Sequence, residues 1–142
     1  MNEKRSLPFL SAFFGSLHLP TGRLVYAIGG HDRPYWVQAG SGCIQPLAGK
    51  GMLLGAFPLI RPDECEITLE KGDSLILYTD GITEARSEAD FFDESRLEAV
   101  LSQDAAASAS QIAEDIWQAV NQFTDGQPQS DDMTLVIVQR DP

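Results

Sequence analysis

The sequence predicts an α+β fold, with antiparallel strands followed by two helices and a closing strand. Three observations support this prediction. In the first two-thirds of the chain, short apolar runs alternate with turn residues, which is typical of hairpins. A helical pattern covers much of residues 93–123, and a β-branched run at residues 133–139 follows it. A run of strands followed by a run of helices is typical of an α+β fold.

Three hairpins are predicted in the strand-rich part. Each consists of two strand-like segments around a turn: residues 10–19 and 23–30, residues 35–38 and 43–47, and residues 65–70 and 74–79. Residues 65–70 alternate apolar and polar side chains, which predicts one face in contact with solvent. Residues 74–79 are apolar almost throughout, so we expect a central strand covered on both faces. Residues 48–64 are rich in Gly and Pro and are predicted to be a long connection.

Two helices are predicted after the hairpins. The first is short, covers residues 93–102 and has Asp93 as its N-cap. The second runs from about Ser108 to Phe123, and Ser108 and Gln111 have the spacing of a capping box. Its apolar stripe consists of Ile112, Ile116, Trp117, Val120 and Phe123. Such a stripe is more typical of packing on a sheet than of a binding groove. The last strand, residues 133–139, is predicted to be buried.

Composition limits the classes of function. The chain has 142 residues, 43% of them hydrophobic, which is enough for a core in one domain spanning residues 1–142. The formal net charge is −11, from 21 acidic and 10 basic residues. Nucleic acids and anionic membranes bind basic surfaces, so we expect neither as a partner. An acidic chain suits metal cations or a basic partner.

The cysteines and the first residues favour a cytoplasmic protein. Cys43 and Cys65 have no CxxC or Cys/His spacing, which predicts reduced thiols rather than a disulfide or a zinc site. Lys4 and Arg5 precede an apolar stretch as in a signal peptide, but no A-x-A cleavage site follows. No run reaches the roughly 20 apolar residues of a membrane-spanning helix. We therefore expect neither export nor membrane insertion.

Carboxylates stand at the ends of two apolar strands. Asp80 directly follows residues 74–79, and Asp131 and Asp132 precede residues 133–139. If these strands are antiparallel neighbours, the end of one lies beside the start of the other, about 5 Å away. Asp80 and Asp131 then meet at one edge, where a bound cation removes the repulsion between their charges. Ligation by oxygen alone selects Mg²⁺ or Mn²⁺ rather than zinc.

Each of these motifs also has a simpler explanation. An Asp-Gly pair after a strand is a common turn, and Asp before a strand is a common loop residue. Gly81 would let the chain turn sharply after Asp80. Glu84 could support the metal site from the following loop or be a solvated acid. Thr134 could hold Asp131 in place through its hydroxyl.

Taken together, the motifs resemble the PPM-type (type 2C) metal-dependent serine/threonine protein phosphatases. GDSLILYTDGITEARSEADFFDESRL (72–97) and SDDMTLVIV (130–138) are similar to the bacterial branch that includes the stage II sporulation E phosphatase. Residues 13–36 look like the branch's strand, turn and strand before an Ala-Gly-His-x-x-Pro segment. GMLLGAFP (51–58) looks like its Gly-x-x-Leu-Gly loop. The resemblance covers nearly the whole chain and matches about the C-terminal two-thirds of the family domain.

The resemblance implies a fold, a site and a reaction. The fold is a pair of packed antiparallel sheets flanked by helices, with two Mn²⁺ or Mg²⁺ ions at one end. Asp80 and Asp131 match metal ligands, and Asp132 matches an auxiliary ligand. The reaction is hydrolysis of phosphoserine or phosphothreonine by in-line attack of water, without a covalent phosphoenzyme. The substrates implied are small regulatory proteins of bacterial sigma-factor or stress signalling, such as anti-anti-sigma factors.

The sequence departs from the family pattern in several places. The family's Gly-Asp segment, whose aspartate bridges both metals, has no counterpart before Ser11. We therefore expect this chain to hold one metal or none, and its isolated activity to be low. Absent strands would leave sheet edges unpaired, which predicts a homodimer. Gly29 stands where the branch usually has Ala, and Asp93 stands where it often has Gly.

Two other functions remain as alternatives. One is a non-catalytic interaction module that keeps the fold without the metal chemistry. The other is a receiver-like domain in which Asp80 accepts a phosphoryl group, but this needs alternating strands and helices, a pattern the chain lacks. His31 is expected to be a turn histidine bonded to the backbone rather than a ligand. Arg33 and Arg86 are expected to be surface residues rather than phosphate contacts.

Overall fold

The computed structural model describes residues 11–49 and 63–142 of the chain. They belong to two compact units: Met1–Arg33 with Ala48–Thr68, and Pro34–Leu47 with Leu69–Pro142. The first unit contains the strands β1 (Ala12–His18), β2 (Arg23–Gly29) and β5 (Cys65–Thr68). The second contains β3 (Tyr35–Val37), β4 (Ile44–Pro46), β6 (Ser74–Tyr78), β7 (Leu135–Gln139), α1 (Asp80–Thr83), α2 (Asp93–Leu101) and α3 (Ala109–Thr124). This combination of antiparallel sheets and helices confirms the predicted α+β class.

The sheet of the first unit has the order β1-β2-β5, and both strand pairs are antiparallel. The predicted first hairpin is confirmed, since β1 pairs with β2 along seven residues. Its turn closes with the N–H of Gly22 donating to the carbonyl of His18 at 2.8 Å. Gly22 has a φ of 75°, a left-handed conformation that a glycine adopts without strain. Alternation in β5 is also confirmed, because Cys65 and Ile67 are half-buried and Glu66 and Thr68 are exposed.

The predicted third hairpin is wrong, because β5 and β6 lie in different sheets. β5 pairs with β2, whereas β6 pairs with β3 and β7. After the buried Leu69 the chain turns, and two residues of this segment form hydrogen bonds with Arg140, which directly follows β7. The N–H of Gly72 donates to the carbonyl of Arg140 at 2.9 Å, and the N–H of Arg140 donates to the carbonyl of Asp73 at 3.0 Å. These bonds direct the chain into the second sheet rather than back along β5.

The sheet of the second unit has the order β4-β3-β6-β7. The predicted hairpin of β3 and β4 is confirmed, with Val37 opposite Ile44. β6 is a central strand as predicted, and Ile76 is fully buried. The prediction that the last strand is buried is wrong: β7 lies at the edge of the sheet, none of its residues is fully buried, and Val136 is 51% exposed. A β-branched run favours a strand, but burial depends on how many neighbours the strand has.

Helix α3 packs its apolar stripe into the core of the second unit. Ser108 is its N-cap and accepts a hydrogen bond from the N–H of Gln111 at 3.2 Å, as predicted. The Gln111 side chain instead donates to Asp115 at 2.7 Å, so only half of a capping box forms. The buried core cluster consists of Tyr35, Val37, Ile76, Tyr78, Ile82, Ala85, Phe92, Leu97, Leu101, Ala107, Ile112, Ile116 and Val120. Trp117 and Phe123 pack against it while partly exposed.

The start of α2 differs from the prediction. Phe92 occupies the N-cap position, and Asp93 is the first helical residue with a φ of 75°. Its carboxylate nevertheless accepts the N–H of Ser95 at 3.3 Å, the bond expected of a capping side chain. This bond, more than the neighbouring Glu94, holds the pKa of Asp93 below its ordinary value. A left-handed φ favours glycine, so a glycine would adopt this backbone conformation more easily than Asp93 does.

Two further sequence predictions concern the long connection and membrane insertion. Most of the predicted connection at residues 48–64, including GMLLGAFP, lies outside the described residues. In the part of the chain that is described, no helix has both the length and the apolar composition needed to cross a bilayer.

Candidate metal centre

The pairing of β6 and β7 brings the two predicted acidic motifs together. The strands are antiparallel, with Tyr78 opposite Leu135 at the end of the ladder. Two further bonds extend it by one residue on each strand. The N–H of Thr79 donates to the carbonyl of Thr134 at 3.1 Å, and the N–H of Thr134 donates to the Thr79 hydroxyl at 3.0 Å. The end of β6 therefore lies beside the start of β7, as the sequence predicted.

Asp80 begins a helical turn rather than the tight Asp-Gly turn expected from the sequence. Residues Asp80–Thr83 form α1, and the N–H of Glu84 donates to the carbonyl of Asp80 at 2.7 Å. Residues four apart in a helical turn share one face. The turn therefore presents the carboxylates of Asp80 and Glu84 on the same side.

Three carboxylates converge at this end of the sheet. Oxygen atoms of Asp80, Glu84 and Asp131 all lie within 4.8 Å of one another, and all three residues are exposed. The side chain of Asp132 is not part of this group. Its N–H donates to the Asp131 carboxylate at 2.7 Å, and the Gln129 side chain donates to the Asp131 carbonyl at 2.7 Å. These two bonds orient Asp131.

Gly81 is required here for a reason other than the predicted sharp turn. Its φ is not positive, so its backbone conformation is open to other residues. A Cβ built at this position, however, overlaps the carbonyl oxygen of Asp132 and lies 2.8 Å from its carbonyl carbon. The absence of a side chain lets α1 approach the loop before β7. Asp80 and Glu84 can then reach Asp131.

The donor set fits a hard divalent cation. A cation about 2.1–2.4 Å from each ligand holds opposite ligand oxygens roughly 4.2–4.8 Å apart. The oxygen atoms of the three carboxylates lie no further apart than the upper end of that range, and a donor set of oxygen atoms alone suits Mg²⁺ or Mn²⁺. Their charges repel one another when no cation neutralises them.

Other residues weighed from the sequence have simpler surroundings. His31 has its ring Nδ1 2.9 Å from the carbonyl oxygen of Asp32, which confirms a turn histidine bonded to the backbone. Arg86 is exposed, and its guanidinium carbon lies 5.2 Å from the centre of the Phe91 ring. Thr134 bonds to Thr79 through its main chain. The sequence left Glu84 open between a metal role and a solvated acid. Its four-residue spacing from Asp80 becomes informative only once α1 is known to be helical.

Comparison with known proteins identifies relatives along nearly the whole chain. A family model described as Stage II sporulation protein E (SpoIIE) matches residues 1–141. Phosphoserine phosphatase RsbU of Bacillus subtilis is 26% identical over 132 residues, which cover 93% of this chain and 39% of that protein. Protein IcfG of Synechocystis sp. is 32% identical over 133 residues, which cover 93% of this chain and 21% of that protein.

A solved structure has the same fold. The phosphatase domain of the cell fate determinant SpoIIE from Bacillus subtilis, in a Mn-presoaked form, matches with a TM-score of 0.71 at 17% identity. The match covers 92% of this chain and 56% of that one, so the chain spans less than two-thirds of each relative. The family-model match over almost all residues, together with this fold, shows that the chain belongs to the SpoIIE family of PPM-type phosphatase domains.

Proposed function

We propose that this chain forms part of the active site of a metal-dependent phosphoserine/phosphothreonine protein phosphatase. The observation that carries the proposal is the convergence of Asp80, Glu84 and Asp131 within 4.8 Å in a member of this family. Hydrolysis adds water to the phosphomonoester and releases a seryl or threonyl hydroxyl and inorganic phosphate. An acidic oxygen cluster suits this reaction because it concentrates divalent cations beside the phosphoryl group.

The residues have separate roles in this proposal. Asp80 in α1, Glu84 directly after α1 and Asp131 before β7 hold Mn²⁺ or Mg²⁺. Asp132 supplies a further oxygen, as the family resemblance implies. When bound, the cation supplies positive charge that stabilises the developing phosphoryl charge and lowers the pKa of water. The Asp132 N–H holds the Asp131 carboxylate, and the Gln129 side chain holds the Asp131 main-chain carbonyl.

The substrate we propose is a phosphorylated bacterial regulatory protein of the anti-anti-sigma type, encountered in the cytoplasm. RsbU, similar along 93% of this chain, is named a phosphoserine phosphatase, which supports a phosphoserine substrate. The net charge of −11 disfavours nucleic acids as alternatives.

We further propose that the chain pairs with a second copy through its sheet edges. Among the described strands, β1 and β7 each have one neighbour. Phe14 on β1 and Val136 on β7 are 75% and 51% exposed, which is unusual for large apolar side chains on an unprotected edge.

Phosphate release from p-nitrophenyl phosphate with Mn²⁺ tests the phosphatase. We expect the chain to release phosphate slowly, Asp80→Asn to abolish release, and Glu114→Gln, an exposed acid on α3, to leave it unchanged. Activity that persists in Asp80→Asn would contradict the assigned site. Absence of release by the unmodified chain, with Mn²⁺ binding retained, would favour a non-catalytic interaction module.

A further inference from the structure

A surface cavity of about 440 Å³ lies in the second unit, between a loop and the end of α3. One wall is formed by residues 87–89, in the segment after α1. The other is formed by residues 122–125 and Gln127, at the end of α3. The volume falls in the range of sites that accept a small ligand or a long side chain.

Both walls connect directly to the candidate metal centre. Ser87 follows Glu84 by three residues, and Gln127 precedes Asp131 by four. An extended residue spans at most about 3.6 Å, so the Cα of Ser87 lies within about 11 Å of the Cα of Glu84, and the Cα of Gln127 lies within about 14 Å of the Cα of Asp131. A bound peptide advances by the same distance per residue. A side chain up to four positions from a phosphoserine at the metal centre can therefore reach the cavity.

The cavity is negatively polarised. Glu88 and Asp125 are exposed acids in its walls, and none of the described residues that line it is basic. Helix α3 ends here, and its last turn contains no basic residue. A helix C-terminus carries a partial negative charge, which attracts cations.

The neighbouring arginine does not fill the cavity. Arg96 donates to the carbonyl of Phe91 at 2.8 Å and reaches the Asp90 carboxylate at 3.4 Å. Its guanidinium also lies 4.5 Å from the centre of the Phe123 ring. Arg96 is not among the residues that line the cavity, and Glu88 and Asp125 make no ion pair in the described part of the chain.

The walls offer acceptors that match a guanidinium. Besides the two acids, Gln122 and Gln127 line the cavity, and the carboxamide of each glutamine contains an oxygen acceptor. Arginine has five N–H donors in a fixed planar arrangement that can bond a carboxylate through two parallel N–H···O bonds, whereas lysine has three donors on one compact, strongly hydrated ammonium. The set therefore favours arginine over lysine.

We infer that this cavity receives an arginine side chain of the phosphorylated protein, within four residues of its phosphoserine. The inference rests on the proposed phosphatase function and specifies the substrate. A phosphoserine dianion must approach three carboxylates on a chain of net charge −11, so it meets repulsion. An arginine seated between Glu88 and Asp125 offsets that repulsion and sets the position of the peptide.

An NMR titration of the ¹⁵N-labelled chain with Mg²⁺ tests the site independently of catalysis. The ligands are peptides with a non-hydrolysable phosphonate analogue of phosphoserine and one arginine placed at each position from −4 to +4. A matched series has glutamine instead. We expect amide shifts at residues 87–89 and 122–127 with arginine at one position and not with glutamine. Identical shifts in both series, or shifts elsewhere only, would overturn the inference.

Variants identify the acids responsible. Glu88→Gln combined with Asp125→Asn removes both charges, and asparagine tolerates the left-handed φ of 40° at position 125. We expect this double variant to lose the arginine-dependent shifts, whereas Glu114→Gln retains them. Retention of the shifts in the double variant would overturn the assignment.

Kinetics separates this inference from the phosphatase proposal. With the corresponding phosphoserine peptides, we expect arginine at the best position to raise kcat/KM about three- to tenfold over glutamine. The double variant should lose this preference and keep its rate on p-nitrophenyl phosphate. Hydrolysis without an arginine preference would refute the assignment of the cavity as an arginine site and would leave the phosphatase proposal standing. Arginine-dependent shifts without any hydrolysis would support the cavity and refute the phosphatase.

Discussion

Gly81 lies against the main-chain carbonyl of Asp132, so closely that a Cβ on Gly81 would overlap the carbonyl oxygen. This contact joins α1, which contains Asp80 and is followed directly by Glu84, to the loop that contains Asp131. The spacing of the three carboxylates therefore depends on a residue that contributes no side chain.

Replacing Gly81 with alanine should disturb both the fold and the site. We expect Gly81→Ala to lower the free energy of unfolding by about 1–3 kcal/mol, because the new methyl group forces the Asp132 backbone to move. Mn²⁺ binding should weaken as Asp131 shifts. Urea unfolding and calorimetric titration measure the two effects. Gly40→Ala is the control, since a Cβ there has nothing within 4 Å; equal behaviour of the two variants would contradict the contact.

The three-carboxylate geometry predicts which acids hold the metal. We expect Glu84→Gln and Asp131→Asn to weaken Mn²⁺ binding by about tenfold or more, because each removes a ligand. Glu88→Gln, a loop acid outside the group, should bind as the unmodified chain does. Asp132→Asn should have a smaller effect than Asp131→Asn, since its side chain is outside the group. Calorimetric titration measures these Mn²⁺ affinities. An equal loss of affinity in Glu84→Gln and Glu88→Gln would exclude Glu84 as a ligand.

Asp73 connects three segments of the second unit. Its buried carboxylate accepts hydrogen bonds from the Trp36 indole at 3.1 Å, the Ala39 N–H at 3.1 Å and the Glu70 N–H at 3.0 Å. Asp73→Ala leaves these donors unpaired, so we expect a loss of about 2–4 kcal/mol in unfolding free energy. Asp104→Ala removes an exposed carboxylate with one N–H partner and should lose about 1 kcal/mol or less. Comparable urea midpoints for the two variants would rule out this role for Asp73.

Asp93 makes stability depend on pH. Its pKa is lowered in the folded state, mainly by the hydrogen bond from Ser95. The carboxylate therefore stabilises the fold above the unfolded-state pKa, and this contribution is lost as pH falls through the folded-state pKa. Asp93→Asn keeps an acceptor without charge, so we expect the unmodified chain to have the higher urea midpoint at pH 7 and the difference to shrink toward pH 3. A difference independent of pH would contradict the prediction.

The left-handed backbone at Asp93 gives a second test at the same residue. With a φ of 75°, position 93 strains any residue with a Cβ that lacks a compensating bond. We expect Asp93→Ala to be less stable than Asp93→Gly, although alanine is the better helix former. The reverse order in urea unfolding would mean that helix propensity outweighs backbone strain here.

Pairing of sheet edges predicts a dimer at micromolar concentration. Light scattering coupled to size-exclusion chromatography measures the mass directly. We expect Val136→Lys or Phe14→Lys to shift the chain toward monomer, because a charge on an edge strand opposes pairing. A monomeric mass for the unmodified chain would remove this proposal.

The sequence by itself determined the local elements of this protein. The hairpin of β1 and β2, the hairpin of β3 and β4, and the Ser108 cap of α3 follow from turn residues and periodicity among residues close in the chain. The meeting of Asp80 and Asp131 was also predictable, because both stand at ends of apolar runs that pair as antiparallel neighbours.

Only the tertiary structure decided which strands became partners and which acids converged. Local pattern favoured a hairpin of β5 and β6, but the bonds of Gly72 and Asp73 go to Arg140, more than sixty residues away. The edge position of β7 and the close approach of Gly81 to Asp132 likewise depend on distant segments. Such choices reflect competition among non-local contacts, and the periodicity of a single segment carries no information about them.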